Sequence, residues 1–397
     1  MTEWCDVSLG DVCELKRGYD LPRGSRLAGT VPVISSSGPT GFHTEAKVRA
    51  PGVVTGRYGT LGEVFYITED FWPLNTALYV RDFKGNNPRY VAGLLKSMGL
   101  SQYDGAAAVP GLNRNQLHTL PVRIPSVDTQ RKIACFLTAV DDLIENNRQR
   151  VAVLEEMVRE IYREWFTRFR FPGHEKAACV DTTLGVVPEG WTWNTCGDEL
   201  DFIGGGTPSK KVPAYWEEGT IAWYTPSDLT KNRWRYAAEP ELCITEMGVA
   251  KSSARPFPAG SVLMTSRATL GVLAIATAEA TTNQGFIVVL PDDRWCPGFI
   301  REWLDVHAVQ LAAIATGATF KEITKGAFKR VPFLLPPGRV LDAYTEISEP
   351  IEMQILNLER QVRSLSMLRD FLLPRLVTGQ IEVSGLDLAV ILEGAVA

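Results

Sequence analysis

The chain has 397 residues, a length typical of two or three domains, with 45% hydrophobic residues, 22% charged residues and a formal net charge of −5. This composition excludes a disordered chain and argues against a protein that coats nucleic acid nonspecifically, although it permits a local basic face. The most apolar stretch, 262–278, contains Arg267 and several threonines, and the first residues lack the features of a signal peptide, so we expect no membrane contact and a cytoplasmic location.

Four segments of the first 125 residues recur in the same order later in the chain. WCDVSLGD matches WTWNTCGD, PGVVTGRYGTLGEV matches AGSVLMTSRATLGVL, LNTALYV matches TNQGFIVV, and LHTLPVRIP matches FKRVPFLLP. The offset begins near 187 residues and settles at 211, and most of the difference falls in a polar stretch between Asp228 and Phe257. A period of this length indicates a duplicated domain rather than a solenoid.

A long amphipathic helical pattern follows each copy of the repeated segments. In the first helix the predicted seam, spaced by four and three residues, is Ile133, Leu137, Val140, Ile144, Asn147, Val151, Leu154, Val158 and Ile161. In the second helix it is Ile351, Ile355, Leu358, Val362, Leu365, Leu372 and Leu376. These seams predict coiled-coil packing, in which Asn147 either fixes the register at some cost in stability or lies partly exposed at a frayed contact. Gly338 follows two prolines at the start of the second helix, and Gly379 is a candidate C-cap.

Two equivalent seams in a duplicated chain most simply bury each other. The 33 residues from Ile133 to Trp165 would span roughly 50 Å as a helix. We therefore expect two antiparallel helices that hold one globular copy near each end, related by a pseudo-two-fold axis. Such a spacing device suits DNA, where half-sites recur on one face about every 34–36 Å.

Catalytic and metal-binding patterns are weak. The four histidines lie in unrelated local contexts, and the seven cysteines form no CxxC pair, so we expect reduced thiols and no metal site. Two pairs of adjacent carboxylates, Asp141-Asp142 and Glu155-Glu156, fall on the first long helix, where a solvated face explains them. The segment NNPRY lacks the second proline of a methyltransferase Asn-Pro-Pro-Tyr loop, and no glycine-rich cofactor loop accompanies it.

The glycine-rich segment GGGTPSKK, which begins at Gly204, has the composition of a phosphate loop but not its pattern. No glycine precedes its lysines, and Pro208 removes a backbone donor. Two interpretations remain: a DNA-contacting turn framed by Tyr215, Trp216 and Trp223, or a solvated loop above core aromatics. Arg57 and Arg267 precede a Thr-Leu-Gly turn in each copy, where an arginine either contacts DNA or pairs with a structural carboxylate.

The candidate DNA-binding residues are polar, basic and aromatic side chains in these loops and in the segments preceding the two long helices. They are Ser35, Ser36, Ser37, Arg57, Tyr58, Thr60, Asn113, Arg114, Thr207, Ser209, Lys210, Lys211, Ser227, Arg267, Thr269, Lys321 and Lys325.

Together these residues resemble the specificity (S) subunits of type I restriction-modification systems. The resemblance rests on GGGTPSKKVPAYWEEGTIAWYTPSDL, on PEGW, on IPSVDTQRKIACFLTAVDDLIENN and on FLLPRLVTGQI, and it covers residues 4–383. It implies an α/β (α+β) protein with two globular target-recognition domains, two long antiparallel coiled-coil helices and an internal pseudo-two-fold repeat. The first domain lacks the Gly-Gly-Thr-Pro-Ser start, so its target cannot follow from the second domain's pattern.

The resemblance implies the following organisation: target-recognition domain 1 at 1–125, the first spacer helix at 126–174, target-recognition domain 2 at 175–337, the second spacer helix and following segment at 338–383, and a tail at 384–397. It further implies a non-catalytic subunit that binds double-stranded DNA, two modification subunits and restriction subunits. S-adenosylmethionine, ATP and Mg²⁺ are expected on those partners and no cofactor on this chain. Two alternatives remain open: a scaffold that pairs two proteins without reading DNA, and a self-sufficient modification enzyme.

Overall fold

A computed structural model of the chain describes residues 4–103, 111–317 and 321–382. It divides into two compact units: a first unit of residues up to Asn146 together with residues from Gln361 on, and a second unit of Asn147–Arg360. Both boundaries fall inside long helices. The tail predicted at 384–397 lies outside the described residues.

The strands of the first unit form a four-stranded sheet, a three-stranded sheet and a two-stranded ladder. They are β1 (Trp4–Ser8), β2 (Glu14–Arg17), β3 (Val31–Ser35), β4 (Gly38–His43), β5 (Gly52–Gly56), β6 (Val64–Ile67), β7 (Trp72–Pro73), β8 (Ala77–Asp82) and β9 (Pro121–Pro125). The larger sheet has the antiparallel order β2-β8-β5-β6. The smaller sheet has the order β4-β3-β7, with β3 parallel to β7, and β1 pairs with β9.

The second unit repeats this arrangement. Its strands are β10 (Cys179–Thr182), β11 (Gly185–Pro188), β12 (Thr192–Thr195), β13 (Phe202–Gly204), β14 (Ile221–Tyr224), β15 (Cys243–Ile244), β16 (Val262–Thr265), β17 (Leu273–Ile275), β18 (Thr281–Thr282), β19 (Phe286–Val289) and β20 (Pro332–Leu335). The sheets have the orders β13-β19-β16-β17 and β15-β14-β18, and β12 pairs with β20. As β3 does with β7, β14 pairs in parallel with β18. The predicted internal repeat is therefore confirmed at the level of strand order and direction.

The helices also recur in order. They are α1 (Leu9–Val12), α2 (Pro88–Ser97), α3 (Arg114–His118), α4 (Val127–Tyr162), α5 (Cys196–Glu199), α6 (Pro226–Asn232), α7 (Glu246–Ala250), α8 (Pro297–Val306), α9 (Ala308–Ala313), α10 (Lys325–Lys329) and α11 (Gly338–Val377). By position along the two copies, α1, α2, α3 and α4 correspond to α5, α8, α10 and α11. A π-helical turn, Arg163–Thr167, extends α4. Among the described residues, no helix is both long enough and apolar enough to cross a bilayer.

The length difference between the copies lies mainly in one insertion. In the first unit two residues, Ser36 and Ser37, join β3 to β4. In the second unit the corresponding strands, β14 and β15, are separated by residues 225–242, which include α6. The structure thus places most of the extra length within the polar stretch that the sequence indicated.

The first unit packs part of each long helix against α2. Ile133, Leu137, Val140 and Ile144 of α4 are at most 2% exposed, and four seam residues of α11 are also buried: Val362, Leu365, Leu372 and Leu376. The α4 residue Asp141 contacts Arg369, whereas Leu137, one turn earlier, lies with Val377 against Gly93. Because the partner number rises as the α4 number falls, the two segments run antiparallel in this unit.

The second unit continues both seams into an aromatic core. Val151, Val158, Ile355 and Leu358 are buried in that core, and Asn147 is only 1% exposed. Three further seam residues are partly buried against it: Leu154, Ile161 and Ile351. Rings from several elements fill the space between the long helices and the sheet: Tyr162, Phe166, Phe299, Phe333 and Tyr344.

The end of α11 is a Schellman motif. Gly379 has φ +77°, in the left-handed region that suits glycine. Its N–H donates to the carbonyl of Leu376, and the N–H of Gln380 donates to the carbonyl of Arg375. The glycine predicted as a C-cap therefore terminates this helix.

Candidate nucleic-acid interface

Antiparallel pairing brings several loops of the second unit to one edge of its larger sheet. The pairs Gly204–Ile287, Thr265–Phe286 and Met264–Leu273 place the ends of β13 and β16 beside the starts of β19 and β17. The loops 205–212, 266–272 and 283–285 therefore emerge together. We call this set of loops, with the segment 321–325 described next, the second edge.

The segment 321–325 joins the second edge through main-chain bonds. The N–H of Ile323 donates to the carbonyl of Ser266 at 2.8 Å, and the N–H of Ala268 donates to the carbonyl of Lys321 at 3.2 Å. Lys325 begins α10, and its side chain lies beside Gly204. These contacts gather four exposed candidates at the edge: Arg267, Thr269, Lys321 and Lys325.

Two tryptophans form hydrogen bonds to the main chain of the loop GGGTPSKK. The indole N–H of buried Trp223 donates to the carbonyl of Gly206 at 2.9 Å, and that of Trp216 donates to the carbonyl of Ser209 at 3.1 Å. The two indoles meet edge to face, with centroids 5.0 Å apart. The aromatic residues therefore support the main chain of the loop.

The polar side chains of this loop face outward. Thr207, Ser209, Lys210 and Lys211 are all exposed. The hydroxyl of Thr207 donates to Oε1 of Gln284 at 2.6 Å, which links this loop to the loop before β19. An outward row of hydroxyls and ammonium groups on a fixed main chain suits phosphate oxygens.

The motif Thr-Pro-Ser-Asp positions Ser227. Thr225 caps α6, Pro226 occupies its first turn, and Asp228 accepts from both the N–H and the hydroxyl of Thr225 at 2.7 Å, which forms a capping box. Pro226 lies close to Gly285 of the second edge. The exposed Ser227 therefore sits at the side of this edge.

The larger sheet of the first unit has the same edge. Arg17–Leu78, Gly56–Ala77 and Thr55–Val64 place the loops after β2 and β5 beside those before β8 and β6. We call the loops 18–22, 57–63 and 74–76, with Ser36 and the segment 111–114, the first edge.

Two contacts bring Ser36 and the segment 111–114 to this edge. Ser36 lies against Gly56 and Gly59, and the N–H of Leu112 donates to the carbonyl of Arg57 at 2.9 Å. The exposed candidates gathered there are Tyr58, Thr60, Asn113 and Arg114. Loops that are far apart in sequence therefore form one polar surface in each unit.

Three candidates of the first unit serve local turns. The hydroxyl of Ser35 donates to the carbonyl of Gly38 at 3.0 Å, and Ser37 lies 3.1 Å from that hydroxyl in the same turn. The side-chain oxygen of Asn113 caps α3 by accepting from the N–H of Asn115. For these residues the structure supplies a local role that requires no ligand.

The two arginines before the Thr-Leu-Gly turns differ in their surroundings. The guanidinium of Arg57 stacks over the ring of Tyr58, 4.5 Å from its centroid, and donates to its hydroxyl at 3.2 Å. Arg267 is exposed. Within the described residues, neither arginine forms an ion pair with a carboxylate, so both retain a cationic group for a ligand.

The sequence reasoning missed two amide residues at the edges. Asn75, before β8, donates its amide to Asp20, and Gln284, before β19, accepts from Thr207. Asn75 and Gln284 are separated by 209 residues, as are the starts of β8 and β19. The shared amide at equivalent positions of the repeat was the signal that could have identified them.

The second edge is basic although the whole chain is acidic. Lys210, Lys211, Arg267, Lys321 and Lys325 are exposed, and the half-buried Glu322 lies among them. Hydroxyls, amides and cationic groups are the side chains that bind phosphates and the edges of bases. The two edges are therefore chemically suited to DNA.

Comparisons with known proteins agree with this geometry. The family model described as the type I restriction modification DNA specificity domain matches residues 1–156 and 188–342. The MjaIX specificity subunit of Methanocaldococcus jannaschii is 37% identical over 162 residues, 39% of this chain and 36% of that relative. The HindI specificity subunit of Haemophilus influenzae is 21% identical over 331 residues, 68% of this chain and 71% of the relative.

A solved structure has the same fold. The crystal structure of a type I restriction-modification S subunit from M. genitalium aligns with a TM-score of 0.62 at 13% identity, covering 94% of this chain and 96% of that one. The match to the MjaIX subunit spans about a third of that relative, whereas the family model matches both copies of the repeat. The chain therefore belongs to the family of type I restriction-modification DNA specificity subunits.

Proposed function

We propose that this chain is a non-catalytic subunit that gives a type I restriction-modification complex its DNA sequence specificity. Each edge reads one half of a bipartite, asymmetric target in double-stranded DNA. The observation that carries this proposal is the recurrence of one scaffold edge with different side chains. Ser36 and Tyr58 occupy the first edge, whereas Thr207, Lys210 and Lys211 are among the residues of the second. Different side chains on equivalent loops suit two different half-sites.

The long helices set the spacer between half-sites and dock the partner subunits. Several apolar side chains on them face solvent: Val153 and Met157 on α4, and Met353, Met367 and Phe371 on α11, with exposures of 46–67%. Exposed apolar residues of this kind are typical of protein interfaces. The proposed partners are two modification subunits, which bind S-adenosylmethionine and methylate adenine, and restriction subunits, which use ATP and Mg²⁺ to cleave DNA. This chain itself carries no cofactor.

Methylome sequencing tests the proposal directly. The chain is co-expressed with its modification subunit in a host that lacks other adenine methylation. We expect methylated adenines at one motif with two defined parts and a fixed non-specific spacer. A stable, S-adenosylmethionine-binding complex that methylates no bipartite motif and protects no DNA in footprinting would refute DNA reading and leave a protein scaffold.

Variants of each edge show which half of the DNA motif each unit reads. Arg57→Ala with Tyr58→Ala should relax one half of the motif, and Arg267→Ala with Lys325→Ala the other. Each good base contact contributes about 1–3 kcal/mol of discrimination. Relaxation of both halves by either pair would contradict the assignment of one half to each unit.

The docking surface has its own test. Met367→Glu with Phe371→Glu should prevent co-purification of the modification subunit, because charge is placed on an apolar contact. Val309→Glu provides the matched control, since Val309 is an apolar residue of α9 with 82% exposure. Equal recovery of the modification subunit with both variants would show that this face of α11 is not the docking surface.

A further inference from the structure

The insertion of the second unit contains a fully buried arginine. Arg235 has 0% exposure and donates from Nε to Glu352 of α11 at 2.7 Å, with a second, close bond from Nη2 to the same carboxylate. Its Nη1 donates to Glu302 of α8 at 2.8 Å. Burial alone disfavours the charged guanidinium, but the hydrogen bonds and charges of Glu352 and Glu302 outweigh it and raise the pKa of Arg235. The charged guanidinium of Arg235 therefore bridges α8 and α11.

The main chain beside Arg235 is fixed to the same long helix. Glu359 of α11 accepts the N–H of Arg235 at 2.7 Å and the N–H of Tyr236 at 3.0 Å. The hydroxyl of Tyr236 donates to Glu352 at 3.0 Å. Two carboxylates, spaced seven residues apart on one helix, thus hold both the side chain and the backbone of the insertion.

The same insertion and the segment after it reach the second edge. Before Arg235, α6 carries Ser227 beside the edge. After it, Thr245 donates its N–H to the carbonyl of Tyr215 and its hydroxyl to that of Ala214, at 3.0 and 2.8 Å. Ser253 packs against Gly206 within the glycine-rich loop. One continuous segment, 225–254, therefore touches loops of the second edge near both of its ends, at Gly285 and at Gly206, and touches α11 in its middle.

The first unit anchors its helix differently. Its β3–β4 turn is too short to carry a counterpart of Arg235. Asp141 stands 211 residues before Glu352, the offset of the two helix starts. It pairs with Arg89 of α2 and Arg369 of α11, and the three side chains retain 20–30% exposure. Both units thus place a carboxylate at the same helix position, but only the second uses the insertion to reach it.

Stability alone does not account for such a cluster. Buried ion pairs recover little net free energy because desolvation offsets their attraction, and apolar replacements are often equally stable. The second oxygen of Glu302, Oε2, is buried without a hydrogen-bond partner among the described residues, which adds to the cost. The directional bonds of a planar guanidinium fix geometry instead.

We propose that Arg235 is a positioning residue that fixes the second edge relative to α11, and so fixes the distance at which the second half-site is accepted. This inference rests on the proposed function. It predicts that loss of the cluster loosens discrimination between spacer lengths on the second side, whereas the sequence read by the first edge is unchanged.

The decisive variant replaces the cluster with apolar residues of similar size: Arg235→Met, Glu302→Leu and Glu352→Met together. Its complex is assayed by methylome sequencing and by methylation of oligonucleotides with the wild-type spacer or one base pair more or less. The triple change also removes the carboxylate that accepts from Nη1 of Arg301 and the one that accepts from the hydroxyl of Tyr236, so we expect a lower melting temperature. The preference for the correct spacer should fall by about tenfold or more. Asp141→Asn in the first unit serves as the control carboxylate variant and should leave the second half-site unaffected.

Each outcome decides the inference. A folded triple variant with wild-type spacer discrimination overturns it. Should the triple variant fail to fold, Arg235→Lys decides, because lysine keeps the charge but loses the two-pronged bond. A folded Arg235→Lys chain with unchanged discrimination would also overturn the inference. A wild-type complex that methylates no bipartite motif refutes the proposed function instead.

Discussion

Gly205→Ala tests how tightly the glycine-rich loop is fitted to the second edge. A Cβ at Gly205 would lie closer than 3.0 Å to the carbonyl oxygens of Thr282 and Asn283 and to the hydroxyl of Thr282. Thr282 is 1% exposed and belongs to β18, so it cannot withdraw. The loop must therefore move by about 1 Å or more to restore van der Waals contact.

This displacement has two measurable costs. Overpacking of this kind destabilises a protein by about 1–3 kcal/mol. The N–H of Gly206, which donates to the carbonyl of Thr282 at 2.9 Å, and the hydroxyl of Thr207 lose their alignment as the loop shifts. If Thr207 contacts a base, its displacement weakens binding of the second half-site by about 1–3 kcal/mol, a factor of about 5 to 150.

Gly204→Ala provides a matched control one residue away. A Cβ there meets only the flexible end of the Lys325 side chain, 3.2 Å from Nζ, and that side chain can rotate away. We expect this variant to keep wild-type stability and to weaken binding of the second half-site less than Gly205→Ala does. Thermal unfolding and binding to targets with each half-site mutated in turn measure both effects. Equal behaviour of the two alanine variants would refute the tight fit of the loop.

Three further predictions concern charge, packing and pH. Lys210→Ala with Lys211→Ala should weaken binding to all DNA sequences. The slope of log K against log[salt] should fall by about 0.9 for each phosphate that the variant no longer neutralises. An unchanged slope would exclude both lysines as phosphate contacts. Phe333→Ala should lower the free energy of unfolding by about 3–5 kcal/mol in urea titrations, because Phe333 is 0% exposed, and a decrease under 1 kcal/mol would contradict its place in the core. Burial lowers the pKa of His118 below 6.5, and its Nε2 accepts the N–H of Leu15 at 2.9 Å. As the pH falls, His118 is therefore protonated in the unfolded chain before it is protonated in the folded chain. Neutral His118 contributes to the free energy of unfolding above about pH 6.5, and this contribution is lost as the pH falls through the lower folded pKa. Urea unfolding should show that the free energy of unfolding decreases between pH 7.5 and 5. The decrease should be smaller in His118→Gln.

The repeat and the long helices were predictable because their signals are local. Segments such as LNTALYV keep a short continuous apolar run in both copies, and the structure makes these runs the buried strands β8 and β19. Likewise, the four-and-three spacing from Ile133 can be recognised within a few helical turns. The capping box at Thr225 and Asp228 also lies within four residues. Patterns of this range survive without knowledge of the tertiary structure.

The composition of each edge was only partly predictable. Lys321 and Lys325 are among the basic candidates of the sequence, but their approach to Arg267 depends on main-chain pairing across more than 50 residues. A single amide within one copy carries no signal of its own, so Asn75 and Gln284 become recognisable only when the two copies of the repeat are aligned. Their importance comes from loops that meet at a sheet edge, a relation that the sheet order alone reveals.

Arg235 shows the opposite limit of sequence reasoning. It lies in TKNRWRY, a polar stretch with the composition of a solvated loop, yet it is the largest fully buried side chain of the protein's described residues. Its partners cannot be predicted from the neighbouring sequence, since Glu302 and Glu352 lie 67 and 117 residues away. A polar insertion is normally expected on the surface. Here partner carboxylates on two helices reverse that expectation.

The structural support of the second edge therefore extends beyond the repeated segment that forms it. The repeated strands and loops of this unit end at β20, but Glu352 and Glu359, which hold the insertion, belong to α11. The two residues lie one heptad apart and face the globular part of the unit, whereas the seam residues Ile355 and Leu358 between them pack into its aromatic core. One helix thus serves two purposes on adjacent faces. A change in the seam that rotates α11 would carry the carboxylates with it, and through Arg235 would move the loops of the second edge.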